Sequence, residues 1–272
     1  MDNHGLARRV LLFPYQLFAI VCFFSLTCLY GAIGFFASLF DSNGHLAHRC
    51  LAQWARVSLF ATGLQVRVTG LERLSPNTAY IFMPNHASFL DILLLLALLP
   101  HNFRFIIKES FFSVPLVGAG LRKAGHIPID RKNPWRALRS LRRAADLLKD
   151  GVSIVVFPEG TRSTDGEIQD LKTALFILPI RSRTPVVPVL IEGTFAALKR
   201  GSVLLRPLPL KVTICDPIAP DLFGVHDRRN YADEVLQALR GNTTATPRRS
   251  FGHAPIKPET QIPPRRARRL ES

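Results

Sequence analysis

The chain has 272 residues, 47% of them hydrophobic, and a net charge of +15, enough for one catalytic-size domain with appendages and a sizeable core. A pI near 10.5 suits a surface that meets nucleic acid, anionic lipid or a phosphorylated substrate. The four cysteines, Cys22, Cys28, Cys50 and Cys215, form no CxxC pair, which argues against a disulfide framework or a zinc site and for a reducing compartment.

From Gly241 onward there are seven Lys/Arg and two Asp/Glu, a balance of +5, so the first 240 residues carry the other +10. The domain itself is basic, not only its tail.

In chain order, Val10 to Phe40 contains no charged residue. As a helix it would run about 45 Å, longer than a hydrocarbon core of about 30 Å. Gly31 and Gly34 suggest a bend, and Pro14 suits an early helical turn. Two placements fit: one transmembrane helix, or a pair of helices that dips into one leaflet and returns. Arg8 and Arg9 precede the segment and His48, Arg49 and Arg56 follow it, so flanking charge gives no crossing direction, and the returning pair is the preferred placement. The run is too long for a cleaved signal peptide. Leu46 to Ala61 follows as an amphipathic helix, with Leu46, Cys50, Trp54, Val57 and Ala61 on one stripe.

Seven short apolar runs then read as strands: Leu64-Val68, Tyr80-Met83, Phe103-Ile107, Gly125-Ile129, Val152-Phe157, Pro185-Ile191 and Leu210-Ile214. Helical patterns over Phe89-Leu99, Phe111-Lys123, Pro134-Lys149 and Leu171-Ser182 separate most of them, and Asp227-Arg240 reads as a last surface helix. The alternation predicts an α/β fold: a mixed central sheet of about seven strands covered by helices, behind an N-terminal apolar, membrane-associated segment. The expected organisation is an anchor over 1–45, a catalytic domain over 46–240 and a disordered basic tail over 241–272.

Two segments at strand ends carry the chemistry. Asn85-His86-Ala87-Ser88-Phe89-Leu90-Asp91 sets a histidine five residues before an aspartate at the start of an apolar helix. Ser88-x-x-Asp91 also fits a plain capping box. On a continuous helix, residues five apart sit about 140° from one another and could not meet. If the helix starts at Ser88, His86 stays on the preceding loop and Asp91, in the first turn, points back towards it. The pair then forms a general base with its orienting carboxylate, without a protein nucleophile; no G-x-S-x-G elbow is present.

The second segment, Phe157-Pro158-Glu159-Gly160-Thr161-Arg162-Ser163, follows a buried-strand pattern. Ligand sites in α/β sheets lie at such carboxyl ends. Arg162 offers a planar fork for a phosphate, Gly160 permits an unusual turn, and Glu159 suits a glycerol hydroxyl or the orientation of Arg162. Taken alone the segment equally fits a turn with an exposed salt bridge. Gly125 to Arg131 is a third strand ending in a basic residue.

His86-x4-Asp91, Gly125…Arg131, Phe157 to Ser163 and Val187-Pro188-Val189, in that order, resemble the four motif blocks of the glycerolipid acyltransferase family that includes 1-acylglycerol-3-phosphate acyltransferase. The resemblance covers roughly Leu64 to Pro217. It implies a domain on the cytoplasmic face of a membrane, of the bacterial inner membrane in the first instance. That domain would move an acyl group from acyl-CoA or acyl-carrier protein to the sn-2 hydroxyl of lysophosphatidic acid, with no metal or redox cofactor. His86 would be the base and Asp91 its partner. Lys108, Arg131, Glu159, Gly160, Thr161 and Arg162 would serve the acceptor. Two departures, Lys172-Thr173-Ala174 for Lys-x-Gly-Ala and Cys215-Asp216-Pro217-Ile218 for Gly-x-Pro-Ile, leave room for another acceptor, such as a lyso-ornithine lipid, another lysophospholipid or glycerol-3-phosphate. A reading of a different class, a non-catalytic membrane or nucleic-acid binding protein, would use the charge without turnover; no recognisable nucleic-acid motif supports it, and no nucleic-acid partner is expected.

Overall fold

The computed structural model describes residues 3–37, 40–41, 44–115 and 117–241. The expected basic tail lies, beyond Gly241, outside the described residues.

The seven strands form one mixed sheet: β1 (Val66–Thr69), β2 (Ile81–Pro84), β3 (Phe103–Lys108), β4 (Ile127–Ile129), β5 (Ser153–Val155), β6 (Val186–Glu192) and β7 (Leu210–Ile214). Their spatial order is β1-β7-β6-β2-β5-β3-β4. Strands β2 to β6 run parallel, while β7 lies antiparallel to β6 and parallel to β1. The central strands β2 and β5 are buried along their whole length, as expected of parallel strands covered on both faces. The chain leaves β2 for β3 and β4, then returns to insert β5 between β2 and β3. Two segments more than 70 residues apart therefore emerge side by side at the carboxyl edge, where sheets of this kind bind ligands.

Side chains alternate between two cores. Phe82, Phe103, Phe105, Val155 and Val187 pack with α2 (His45–Ala61) and α3 (Leu90–Leu98) on one face. Ile81, Met83, Ile106, Ile127 and Ile154 pack on the other with α5 (Pro134–Lys149), α6 (Ile177–Ser182) and α8 (Arg228–Leu239). The start of α5 is well specified, with Pro134 at its first position and the Asn133 side chain accepting the N–H groups of Trp135 and Arg136, both at 3.1 Å. Its end is closed by Gly151 at φ 78°. The expected helix over Phe111-Lys123 is a 3-10 turn followed by α4 (Val117–Lys123), and that over Leu171-Ser182 is a 3-10 turn leading into α6. The short α7 (Thr194–Ala197) follows β6.

The N-terminal segment is one helix, α1 (Asn3–Ala37), which passes through Gly31 and Gly34 and takes Pro14 into its interior. Pro14 is interior because the helix begins at Asn3, and the return partner is not part of the apolar run but is α2. The Tyr15 hydroxyl donates to Thr62 O at 2.8 Å, Trp54 Nε1 donates to Thr27 Oγ1 at 3.1 Å, and the Phe23 and Trp54 rings lie 5.6 Å apart. These contacts make the two helices antiparallel. From Phe13 to Ala37, α1 is long and apolar enough to cross a membrane. Phe13, Phe18, Phe24, Phe35 and Phe36 remain more than half exposed, an apolar surface that calls for lipid rather than water.

The stripe expected on α2 differs too. The buried residues are Ala47, His48, Ala52, Trp54, Ala55, Ser58 and Leu59, because α1 and α3 both pack against this helix and cover more than one face.

Candidate active site

His86 leaves the end of β2, and the turn that follows is organised by one carboxylate oxygen. Asp91 Oδ2 accepts the backbone N–H groups of Ala87 and Ser88, each at 2.8 Å, and lies 2.9 Å from His86 Nδ1. An oxygen that already accepts two N–H bonds acts as an acceptor towards the ring as well, which puts the imidazole proton on Nδ1 and the lone pair on Nε2. Asp91 is fully buried and the His86 side chain is 14% exposed, so the carboxylate is shielded while the imidazole can be reached. Asp91 Oδ1 is buried and has no hydrogen-bond partner among the described residues.

The expected capping box is half formed. Asp91 holds the Ser88 N–H, but the Ser88 hydroxyl donates to Leu198 O at 2.7 Å and accepts only a 3.4 Å contact from Leu90 N. Ser88 thus fastens the turn to the end of α7, and the helix proper begins at Leu90.

The segment after β5 braces the histidine from both sides of its peptide. Glu159 Oε1 accepts the His86 N–H at 2.7 Å, and the Ser163 N–H donates to His86 O at 2.8 Å. The second Glu159 oxygen accepts Gln169 N–H at 3.1 Å. Glu159 is 1% exposed. Burial pushes its carboxyl up from the usual range, against the lowering effect of these two N–H donors. Phe157 stacks on the imidazole with ring centroids 3.7 Å apart and planes 19° from parallel. The ring is therefore held in azimuth by Asp91, in plane by Phe157 and in height by Glu159 and Ser163.

On the β6 side, the Asn85 amide acts as a substitute peptide: Nδ2 donates to Ile191 O at 2.9 Å and Ile191 N–H donates to Oδ1 at 2.7 Å. This extends the β2–β6 pairing one residue past the end of β2. A cavity of about 280 Å³ adjoins this turn, lined by Asn85, Ala87, Ile191 and Thr194 among others.

The cationic side chains line the same edge. Lys108 ends β3 and is exposed, and Arg131 follows β4. Gly160 has φ 80°, and a Cβ built there would lie 3.6 Å from Arg131 Nη1 and from Lys172 Cγ. The turn thus lies against both side chains and uses a backbone conformation that disfavours an L residue. Thr161 is exposed and Arg162 half-buried. The structure brings His86, Asp91, Glu159 and Gly160 together and sets Arg131 beside them; it does not turn the Glu159 carboxylate towards the open side.

The sequence matches the acyltransferase family over residues 65–192, a span that holds His86, Asp91, Arg131 and the whole of Phe157 to Ser163. The chain belongs to the acyltransferase family. It is 36% identical to the chloroplastic 1-acyl-sn-glycerol-3-phosphate acyltransferase LPAT1 of Arabidopsis thaliana, over 67% of this chain and 52% of that protein. It is 33% identical to the 1-acyl-sn-glycerol-3-phosphate acyltransferase of Cocos nucifera, over 68% of this chain and 59% of that protein. The chain thus spans a little over half the length of these curated relatives. The crystal structure of the 1-acyl-sn-glycerophosphate acyltransferase PlsC from Thermotoga maritima superposes with a TM-score of 0.68 at 28% identity, covering 90% of this chain and 98% of that one.

Three residues of this site escape sequence reasoning. Asn85 and Phe157 stand in the two motif segments without an assigned role, and Gln169 stands in neither. The polar pair Asn85-His86 after four apolar residues was a usable signal for Asn85, because a polar side chain there needs partners. No local signal reveals that Phe157 lies over His86.

Proposed function

We propose that this acyltransferase moves a fatty acyl group from a thioester donor, acyl-CoA or acyl-carrier protein, to the sn-2 hydroxyl of lysophosphatidic acid, giving phosphatidic acid. The observation that carries the reading is the His86 imidazole, bonded through Nδ1 to a buried Asp91 and with Nε2 unoccupied by any hydrogen bond among the described residues. In this mechanism Nε2 takes the proton of the acceptor hydroxyl as its oxygen attacks the thioester carbonyl. The tetrahedral intermediate collapses, the carbon–sulfur bond breaks, and the thiolate receives the proton from His86. Backbone N–H groups stabilise the oxyanion. Arg131 and Arg162, with Lys108, take the acceptor phosphate.

Membrane placement supports the lipid acceptor. Phe23 of α1 meets Phe89, the residue before α3, edge to face at 6.0 Å, so the apolar helix abuts the segment that carries the base. We place the domain on the cytoplasmic face of its membrane, the bacterial inner membrane, where soluble thioester donors are available.

The test is His86→Ala. Acyl transfer from purified protein in detergent should fall by about 10²–10⁴-fold, the range of a lost general base, with the melting temperature and membrane fractionation kept. Near-normal turnover in a folded variant would overturn the mechanism.

A further inference from the structure

The outer face of α5 carries a charge pattern that the acyl-transfer chemistry does not use. The helix, Pro-Trp-Arg-Ala-Leu-Arg-Ser-Leu-Arg-Arg-Ala-Ala-Asp-Leu-Leu-Lys, contains five basic residues and one acidic. At 100° per residue, Arg136, Arg139, Arg142 and Arg143 fall within about 120° of one another, roughly opposite the buried Leu141, Ala144 and Leu148. All four are exposed. Arg136 sits 3.8 Å from both Glu109 and Asp130, whereas among the described residues no carboxylate forms an ion pair with Arg139, Arg142 or Arg143. Trp135, 82% exposed, projects from the same side of the helix.

We propose that this face docks the acidic protein that carries the acyl donor, an inference that rests on the acyl-transfer reading above. Helix α5 begins three residues after Arg131, at the sheet edge that holds His86, and runs away from it. A protein seated on the arginine row therefore has one end beside the active site. From Arg136 to Arg143 the row spans about 10 Å. It combines Arg and Trp, two of the three residue types enriched in protein–protein hot spots.

Two other anionic occupants fit less well. Coenzyme A needs a concave site, and this row lies on the convex outer surface of a helix. An anionic membrane holds a helix best where exposed apolar residues lie between the charges. On α5 Trp135 is the sole large exposed apolar residue, and the helix's own apolar stripe is committed to the core. The apolar helix α1 lies with α2 on the opposite face of the sheet, which leaves α5 for a soluble partner.

The experiment compares palmitoyl-acyl-carrier protein with palmitoyl-CoA as donors to lysophosphatidic acid, using the full chain in lipid nanodiscs. Arg139→Glu/Arg143→Glu should lower kcat/KM with the carrier protein by about tenfold or more and leave kcat/KM with palmitoyl-CoA within about twofold, as removal of a charged docking surface predicts. The milder pair Arg139→Gln/Arg142→Gln should move the carrier reaction in the same direction and serves if the reversal variant fails to fold. An equal fall with both donors, an unchanged carrier reaction, or a loss confined to binding of phosphatidylglycerol vesicles would each overturn the proposal. A wild-type protein that turns over palmitoyl-CoA alone would also overturn it while leaving the acyltransferase reading intact. No turnover with either donor would instead count against that reading.

Discussion

The turn after β2 and the loop after β5 both end a buried strand and both carry a carboxylate, yet the two carboxylates do different work. Asp91 is local: its oxygen gathers three donors from within five residues of chain, and so it orients His86 whatever lies beside it. Glu159 is remote: it reaches across 73 residues of sequence to hold the His86 N–H, and its other oxygen holds Gln169. The resemblance assigns Glu159 to the acceptor, but its burial and its backbone partners favour a positioning role. The difference teaches that a motif loop can be divided, with Glu159 and Ser163 turned inward to hold the His86 peptide, while Thr161 faces solvent and Arg162 is half-buried.

That contrast can be broken most severely at the local carboxylate. Asp91→Asn keeps an oxygen for the three donors but removes the charge that stabilises an imidazolium. Turnover should fall by about 10²-fold or more, measured as kcat with saturating donor and acceptor; a loss below threefold would show that orientation alone suffices.

The remote carboxylate comes next. Glu159→Gln can keep the bond to His86 N–H but presents an N–H group towards Gln169 N–H. The expected result is a fall of about 10–100-fold in kcat, as for a displaced catalytic group, with acceptor KM changed by less than about threefold. A dominant rise in acceptor KM would instead make Glu159 a substrate ligand.

The cations should show the opposite split. Arg162→Ala is expected to raise KM for lysophosphatidic acid by about tenfold or more, the value of a charge-assisted contact, with kcat less affected. No change would favour an acceptor that lacks a phosphate.

The smallest effect concerns pH and lies away from the site. Burial, then the nearby Arg104 charge, depress His48 to about 4 and His126 to about 3; His45 and Arg56 add to the effect at His48. The unfolded chain takes up these protons near the usual value of about 6.5. The folded protein does not, so stability falls as pH drops from about 6.5 towards those values. Glu159, whose carboxyl is raised, works in the opposite sense. The melting temperature should decline between pH 7 and pH 5, and His126→Gln should flatten that decline; identical slopes would remove the assignment.

Much of this was legible in the sequence because it depends on local periodicity and local geometry. All seven strands lie where short β-branched runs end at turn residues, and α5 has the limits expected from Pro134 and Gly151. Even the meeting of His86 with Asp91 follows from helix geometry: a side chain in the first turn points back along the axis. The apolar length of α1 and the positions of Arg131 and Arg162 at strand ends are properties of the chain itself.

What the tertiary structure decided depends on the order of strands. Because β5 inserts beside β2 rather than beyond β4, Glu159, Ser163 and Phe157 arrive at His86 and not at one another's neighbours. The same topology sends the Ser88 hydroxyl to Leu198 instead of completing its cap, and makes α2 rather than the apolar run the partner of α1. Periodicity specifies which face of an element is buried, but not which element will bury it. That choice belongs to contacts between residues far apart in sequence, and here it separates the aspartate that orients the His86 ring from the glutamate that holds its backbone.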